Sequence, residues 1–366
     1  MSVGAIPPVG GGGGGVPSPA GSPQAGAGAG APASTPTPAV AATVQGALSA
    51  IISQDLAAQD GLAPLLADLG AALQSGDVPP AARATVQQIL SLQAPLDGAV
   101  TAQSLRTAVV QSGLFLEAGL AAAAQAPGDP AAATFVAGDL KALLLRLPAE
   151  LTGQSEAAVE QLAPQALGLN DPAARRTSPR PPPPVAGGPL AGQRAAAPSL
   201  PPAMDAASQR QVLSHEAQAA VARLELMQLA STAKPGAPPR WTFELPVAGG
   251  QGTSGQGTGM AQFEITRDAP HGGGPTGDTE PVWRARFSLN LDETGPVHAE
   301  VALHGGRTRV TLWAEQEGAC ASLEAGRADL TSALAGPEGG DAAVRVVAGA
   351  PPRPEARAGQ LINRTS

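Results

Sequence analysis

Histidine, cysteine and serine side chains are the groups in this sequence that could act as bases, metal ligands or nucleophiles. The histidines are His215, His271, His298 and His304, and no carboxylate or cysteine lies near them at a metal-ligand spacing. Cys320 is the lone cysteine, which excludes an internal disulfide and a thiolate-rich metal centre. No serine stands in a Gly-x-Ser-x-Gly turn, and no phosphate-binding loop or dinucleotide fingerprint occurs. We therefore expect a protein that is not an enzyme and that uses no cofactor or metal.

Composition limits where a compact core can form. The 366 residues include Gly 46 and Pro 38, and the hydrophobic 43% is inflated by alanine, which buries little surface. There are three tryptophans, five phenylalanines and no tyrosine, and six of these aromatic residues lie after position 240: Trp241, Phe243, Phe263, Trp283, Phe287 and Trp313. We expect a compact C-terminal domain and looser or helical structure before it.

The charge distribution excludes several classes of partner. The net charge is −8 and no basic cluster is present, which argues against nucleic acid or an anionic membrane surface. The first basic residue is Arg83, so we expect no cleavable secretory signal. No apolar run reaches the length of a membrane span, so we expect no membrane insertion. We also expect a monomer.

The elements that precede the C-terminal domain are predicted to be a leader, a helical region and a linker. Residues 1–38 hold little to bury and should be a disordered leader. Residues 39–165 carry leucines at helical spacing, including a stripe that Pro148 should stop, but with few large side chains we expect a thin core. Residues 166–203 form a Pro-rich linker, in which Pro181 to Pro184 resemble an SH3 ligand, although a stiff spacer is the favoured interpretation.

The remaining chain is predicted to be one helix followed by an α+β domain. Asp205 can cap an amphipathic helix over residues 204–235, which we expect to pack on the following domain, with partner binding as the alternative. Residues 240–350 alternate apolar and polar side chains over successive strands, with Gly305–Gly306 as a hairpin turn. A leucine-bearing helix and a last strand follow, before a flexible tail over residues 351–366. The fold class is therefore a small α+β sandwich of antiparallel strands, a helix and a strand.

Two sets of residues resemble the flagellar hook-length control proteins. The C-terminal set consists of three strand segments, Phe287–Leu291, Gly295–Val301 and Thr308–Glu315, followed by the leucine-bearing helix. The turn before Gly295 has Thr294 where the family usually has Leu. The second set is Ser112–Glu117 with Asp139–Lys141, which is similar to a segment in the N-terminal half of some family members. Together they cover about a third of the chain.

The resemblance implies a function in flagellar assembly. Such a protein is made in the cytoplasm and exported through the flagellar type III apparatus while the hook grows. Its N-terminal part gauges hook length, and its C-terminal domain contacts the export gate and switches export from hook-type to filament-type substrates. The implied partners are an export gate protein and hook or hook-cap subunits. The alternative is a secreted structural or adhesive Pro-rich protein unrelated to flagella, against which the lack of internal repeats argues.

Our candidates for the gate-contacting surface lie on one turn and one helix. The turn supplies the start of a strand, and the helix supplies its exposed side, although its leucines have the spacing of core residues. The candidate partner-binding residues are Gly295, Pro296, Val297, Leu323, Leu330 and Leu334.

Overall fold

The structure, a computed structural model, describes residues 38–94, 100–153, 180–201, 203–233, 236–248, 258–268, 281–292, 294–336 and 340–352. The predicted leader before Pro38, the start of the linker, His271 and most of the tail lie outside these residues. The chain divides into two compact units at Ala47, and the first contributes only the beginning of α1 to the described part. All contacts discussed below belong to the second unit.

The helical elements within the described residues begin at Pro38. The bounds are α1 (Pro38–Ala58), α2 (Leu62–Ser75), α3 (Pro80–Ser91), α4 (Ala102–Val110), α5 (Leu116–Gln125), α6 (Pro130–Gly138), α7 (Leu140–Thr152) and α8 (Ala206–Ser231). None of the helices in the described part is long and apolar enough to cross a bilayer.

Leucine rather than aromatic side chains forms the core of the helical region. The buried residues of this core lie mainly on α2, α3, α7 and α8, and include Leu62, Leu65, Leu69, Ile89, Leu140, Leu143, Leu144, Leu147, Leu151, Leu213, Leu224 and Met227. The spacing of three and four residues in the sequence places them on one face of each helix. Helix α8 contributes its own buried stripe, so it belongs to this core and also contacts β1.

The predicted stop at Pro148 is wrong. Helix α7 contains Pro148 and continues to Thr152, where Gly153 ends it with φ +68°. A proline inside a helix removes one backbone hydrogen bond and tends to kink or end it. Here the turn beyond the proline is retained because it buries Leu151 in the leucine core.

The C-terminal sheet has six strands in the order β1-β2-β3-β4-β5-β6. Their bounds are β1 (Arg240–Ala248), β2 (Thr258–Asp268), β3 (Val282–Leu291), β4 (Gly295–His304), β5 (Arg307–Ala314) and β6 (Ala342–Ala348). Neighbours are antiparallel except β5 and β6, which are parallel and joined through α9 (Glu317–Ala325) and α10 (Arg327–Ala335). The α+β fold class is confirmed, and the hairpin glycines both have positive φ, 53° and 73°.

The two faces of the sheet differ in chemistry because alternate residues of each strand point to opposite sides. One face carries an aromatic row in which the Phe243 and Phe263 rings, and the Phe263 and Phe287 rings, lie 5.3 Å apart. The opposite face carries Glu244, Gln262, Glu264, Arg286 and Ser288, which the strand register places side by side.

Residues 187–193, which we call the strap, lie on this polar face. They fall in the region predicted as a linker. Gln193 forms an antiparallel bridge with Met260 of β2, with N···O distances of 2.8 and 2.9 Å. The strap contacts the sheet mainly through its backbone. Because the pattern of side-chain types does not reflect backbone contacts, nothing in the sequence indicated that this segment packs on the sheet.

Candidate partner-binding surface

The turn between β3 and β4 places Gly295 against the start of α9. Gly295 is buried and has φ +68°, a conformation that glycine adopts without strain. A β-carbon at this position would lie 2.5 Å from Nε2 of Gln316, the residue that precedes α9. Pro296 accepts a hydrogen bond from the Glu315 amide at 3.3 Å. The turn and the beginning of α9 therefore form one continuous surface.

The candidate leucines lie on two helices rather than the single predicted one. Leu323 is on α9, whereas Leu330 and Leu334 are on α10, and each is half-buried. Both helices contact β6, and α9 also contacts β5, in which Val310 and Ala314 are buried. The leucines thus serve packing at least in part, and the exposed residues beside them supply the outer surface of these helices.

The structure brings only some of the predicted residues together. Gly295, Pro296 and Val297 are consecutive at the start of β4, and Val297 pairs with Ala314 at the end of β5. The side-chain position of Gln316 links this group to α9. The sequence offered no direct signal for Gln316, although a residue between a strand and a helix is a reasonable neighbour of the preceding turn.

The histidines form no assembled reactive site among the described residues. His298 is nearly buried, and its Nε2 atom lies 3.2 Å from Oε1 of Glu315. The two side chains can form one hydrogen bond, and among the described residues no nucleophilic side chain is seen in contact with them. Across the residues that the structure describes, no three His, Cys, Asp or Glu side chains are grouped as metal ligands would be. Cys320 is a free, half-buried thiol on α9.

A second polar cluster joins the two segments that first suggested the N-terminal resemblance. Nζ of Lys141 lies 2.5 Å from Oε1 of Glu117 and 2.8 Å from the Gln228 side chain on α8. Gly113 has φ +90°, and a β-carbon there would approach Lys141 to 3.1 Å. Asp139 caps α7, and burial raises its pKa to about 6. The sequence showed the two segments but not their contact.

A buried ion pair connects the helical core with the sheet. The Arg223 guanidinium on α8 donates to both carboxylate oxygens of Glu244 on β1, with distances between 2.5 and 3.1 Å. The side chains are 1% and 0% exposed. Arg223 also donates to Gln59 at 2.9 Å and to the Pro182 carbonyl at 3.1 Å. Four separated parts of the chain therefore meet at one guanidinium.

Within the described residues the C-terminal part is an α+β domain in which the β3–β4 turn and the start of α9 form one surface. Residues 276–354 match the family model described as flagellar hook-length control protein FliK. This match confirms the resemblance of the C-terminal strand segments to the flagellar hook-length control family. The match spans β3 to β6 with α9 and α10, so β1, β2 and the helical core lie outside it. No curated protein and no solved structure matches the chain.

Proposed function

We propose that this chain is exported through the flagellar type III apparatus, gauges hook length with its N-terminal part and switches export specificity through its C-terminal domain. The observation that carries the proposal is the family match over residues 276–354, which coincides with a complete run of structural elements from β3 to β6. The protein is cytoplasmic before export and is then secreted through the flagellar type III apparatus. Its partners are an export gate protein and hook or hook-cap subunits.

The proposed gate contact is the surface formed by the β3–β4 turn and the start of α9. Gly295 and Gln316 are in close approach there, and Pro296 and Val297 are half-buried at its border. Leu323, Leu330 and Leu334 hold the two helices in place, so the contact is made by exposed side chains next to them. A surface of this kind depends on the relative position of the turn and the helix.

The proposed length gauge is the chain that precedes the sheet. Residues 1–200 in extended form would span on the order of 650 Å at about 3.3 Å per residue. The leucine core of α2, α3, α7 and α8 opposes this extension, because the core must open before the chain can pass through a narrow channel. The gauge therefore works on the unfolded chain, and the domain refolds where it acts.

The first test is hook length and filament assembly in cells that lack this gene. Overlong hooks with few filaments, restored by the full chain, are the expected result. Normal hooks with normal filaments would refute the proposal and favour the adhesive alternative.

A matched pair of glycine variants then tests the gate surface. Gly295→Ala introduces strain and a contact with Gln316, whereas Gly306→Ala introduces similar strain, at φ +73°, into open space. We expect Gly295→Ala to give overlong hooks with few filaments, while Gly306→Ala restores normal flagella. Equal behaviour of the two variants at equal protein levels would contradict a role for the β3–β4 turn.

A further inference from the structure

The polar face of β1–β3 holds the strap through the strap's backbone. The Gly187 amide donates to Glu264 at 2.7 Å, the Ala191 amide to Gln262 at 2.8 Å and the Gly192 amide to Ser288 Oγ at 3.1 Å. Each acceptor is a side chain of the sheet, and each donor is a backbone group. The bridge between Gln193 and Met260 continues this pattern at the part of β2 that lies beyond its pairing with β3.

Close approach makes the contact selective for glycine at one position. A β-carbon on Gly192 would lie 2.7 Å from the Ser288 carbonyl oxygen and 2.8 Å from Cα of Leu289. Both neighbours are backbone atoms of β3, which cannot move aside as a flexible side chain can. By contrast, the adjacent Ala191 is exposed, so its side chain points away from the sheet.

Apart from the half-buried Leu190, apolar side chains in the strap and just before it add little to the contact. Val185 is 66% exposed, and Pro189 and Ala191 are also exposed. The hydrophobic contribution to strap binding is therefore small, because it scales with apolar area removed from water. The sheet, however, has a strong requirement for donors, since the Glu244 and Glu264 side chains are almost completely buried.

Cationic side chains only partly meet this requirement. Glu264 forms ion pairs with Arg240, at 2.7 Å, and with Arg286, and Glu244 forms one with Arg223. The strap completes both sites through the Gly187 amide and through the Gln193 side chain, whose Nε2 lies 2.9 Å from Glu244. Arg286 in turn donates to the Gly188 carbonyl at 3.3 Å.

We propose that the polar face of β1–β3 is a peptide-binding groove that reads the backbone of an extended, glycine-containing segment. The strap is its resident ligand, and a segment of the same class can replace it in trans. An acceptable ligand presents amides at the positions of Gly187, Ala191 and Gly192, has no β-carbon at the last of these and carries an amide side chain one residue later. This binding activity is independent of the flagellar role.

The test uses the full chain with Gly192→Val and a fluorescent peptide of residues 184–195. The substitution should displace the resident strap, and the native peptide should then bind, as followed by fluorescence anisotropy. The unmodified chain, whose groove is occupied, should bind the peptide about tenfold or more weakly. A peptide with valine at the position of Gly192 should not bind either chain.

The matched control is a peptide with valine at the position of Ala191, which should bind like the native peptide because that side chain faces solvent. If the Gly192→Val chain keeps its native circular dichroism and does not bind the native peptide, the proposal is overturned. Equal binding of the two valine peptides would overturn it as well.

Hydrogen exchange on the unmodified chain gives an answer even where the variant fails to fold. The Gly187, Ala191, Gly192 and Gln193 amides should be protected, and they should open with a lower free energy than the amides of β4. Free exchange of these amides would show that no groove holds them. Opening only with global unfolding would show that the strap cannot be exchanged.

Discussion

Replacing Arg223 tests whether the helical core and the sheet are one folding unit. In Arg223→Met the Glu244 carboxylate, which is 0% exposed, loses the guanidinium and keeps only the Gln193 amide among its recorded side-chain partners. Breaking a buried pair by removing one partner costs about 3–5 kcal/mol, since the remaining charge is left without compensation. We expect a loss of stability in this range, to which the unpaired Gln59 oxygen and Pro182 carbonyl contribute.

The double variant Arg223→Met/Glu244→Leu separates the pair from its surroundings. Exchange of a whole buried ion pair for apolar residues is often neutral or stabilising, so the double variant should be more stable than Arg223→Met. The coupling energy from the cycle should be about 2–3 kcal/mol. Urea unfolding of the full chain gives these values, with the three tryptophans reporting the sheet and far-ultraviolet circular dichroism reporting the helices.

Tryptophan fluorescence and circular dichroism together also show whether the helical core and the sheet unfold as one unit. If α8 couples the helical core to the sheet through Arg223, both signals should change at the same urea concentration in the unmodified chain. Additive effects of Arg223→Met and Glu244→Leu, or a loss of unfolding free energy below about 1 kcal/mol for Arg223→Met, would contradict the coupling of this pair. Separate transitions in the unmodified chain would refute the single folding unit.

Three further outcomes can be measured by urea unfolding. Gly113→Ala should lower the free energy of unfolding by about 1 kcal/mol or more beyond the effect of Gly128→Ala. Both glycines have φ near +90°, but of the two only a β-carbon at Gly113 would meet neighbouring atoms, at 3.1 Å. Equal losses for the two variants would contradict the close approach at Gly113. Leu144→Ala, at a fully buried position, should lower the free energy of unfolding by about 2–5 kcal/mol, whereas Leu145→Ala, at a position 45% exposed, should lower it by under about 1 kcal/mol. Similar losses for the two variants would contradict the burial of Leu144 in the leucine core. Burial raises the pKa of Asp139 to about 6, so its stability contribution is complete below the unfolded-state pKa near 4 and is lost as the pH rises through 6. Asp139→Asn should therefore gain stability relative to the unmodified chain, by about 2–3 kcal/mol, between pH 4 and pH 7.5, and a pH-independent difference would contradict the raised pKa.

The strands of the C-terminal domain could be predicted because apolar and polar residues alternate along segments such as β3 and β4, and paired glycines indicate the tight turn between β4 and β5. The alternation did not predict which face is more buried: Ser288 on the polar face of β3 is 1% exposed, since the strap lies over it, whereas Trp283 on the apolar face is 39% exposed. No local pattern of residues indicated that β6 pairs with β5 in parallel. This pairing follows from the position of α9 and α10 between the two strands, which the sequence indicated only as one helix.

The candidate surface was less accessible from the sequence than the strands. Gly295 was selected because it lies in the turn that resembles the hook-length control family, and its positive φ became visible only in the structure. The contact with Gln316 depends on tertiary placement. The same is true of the Arg223–Glu244 pair, whose members are 21 residues apart in different elements, and no spacing rule connects such residues.

The extent of the folded unit constrains how a family domain of this kind can be cut from its chain. Residues 276–354 contain β3, yet residues 282–288 of β3 pair with β2, and the Phe287 ring lies 5.3 Å from the Phe263 ring of that strand. A domain that began at residue 276 would expose this edge of β3 and would leave Phe287 without the other two rings of the aromatic row. The strap and α8 extend the dependence further, since they complete buried charges on β1 and β2. The part proposed to switch export and part of the chain proposed to gauge length therefore share one core, and export of either requires both to unfold.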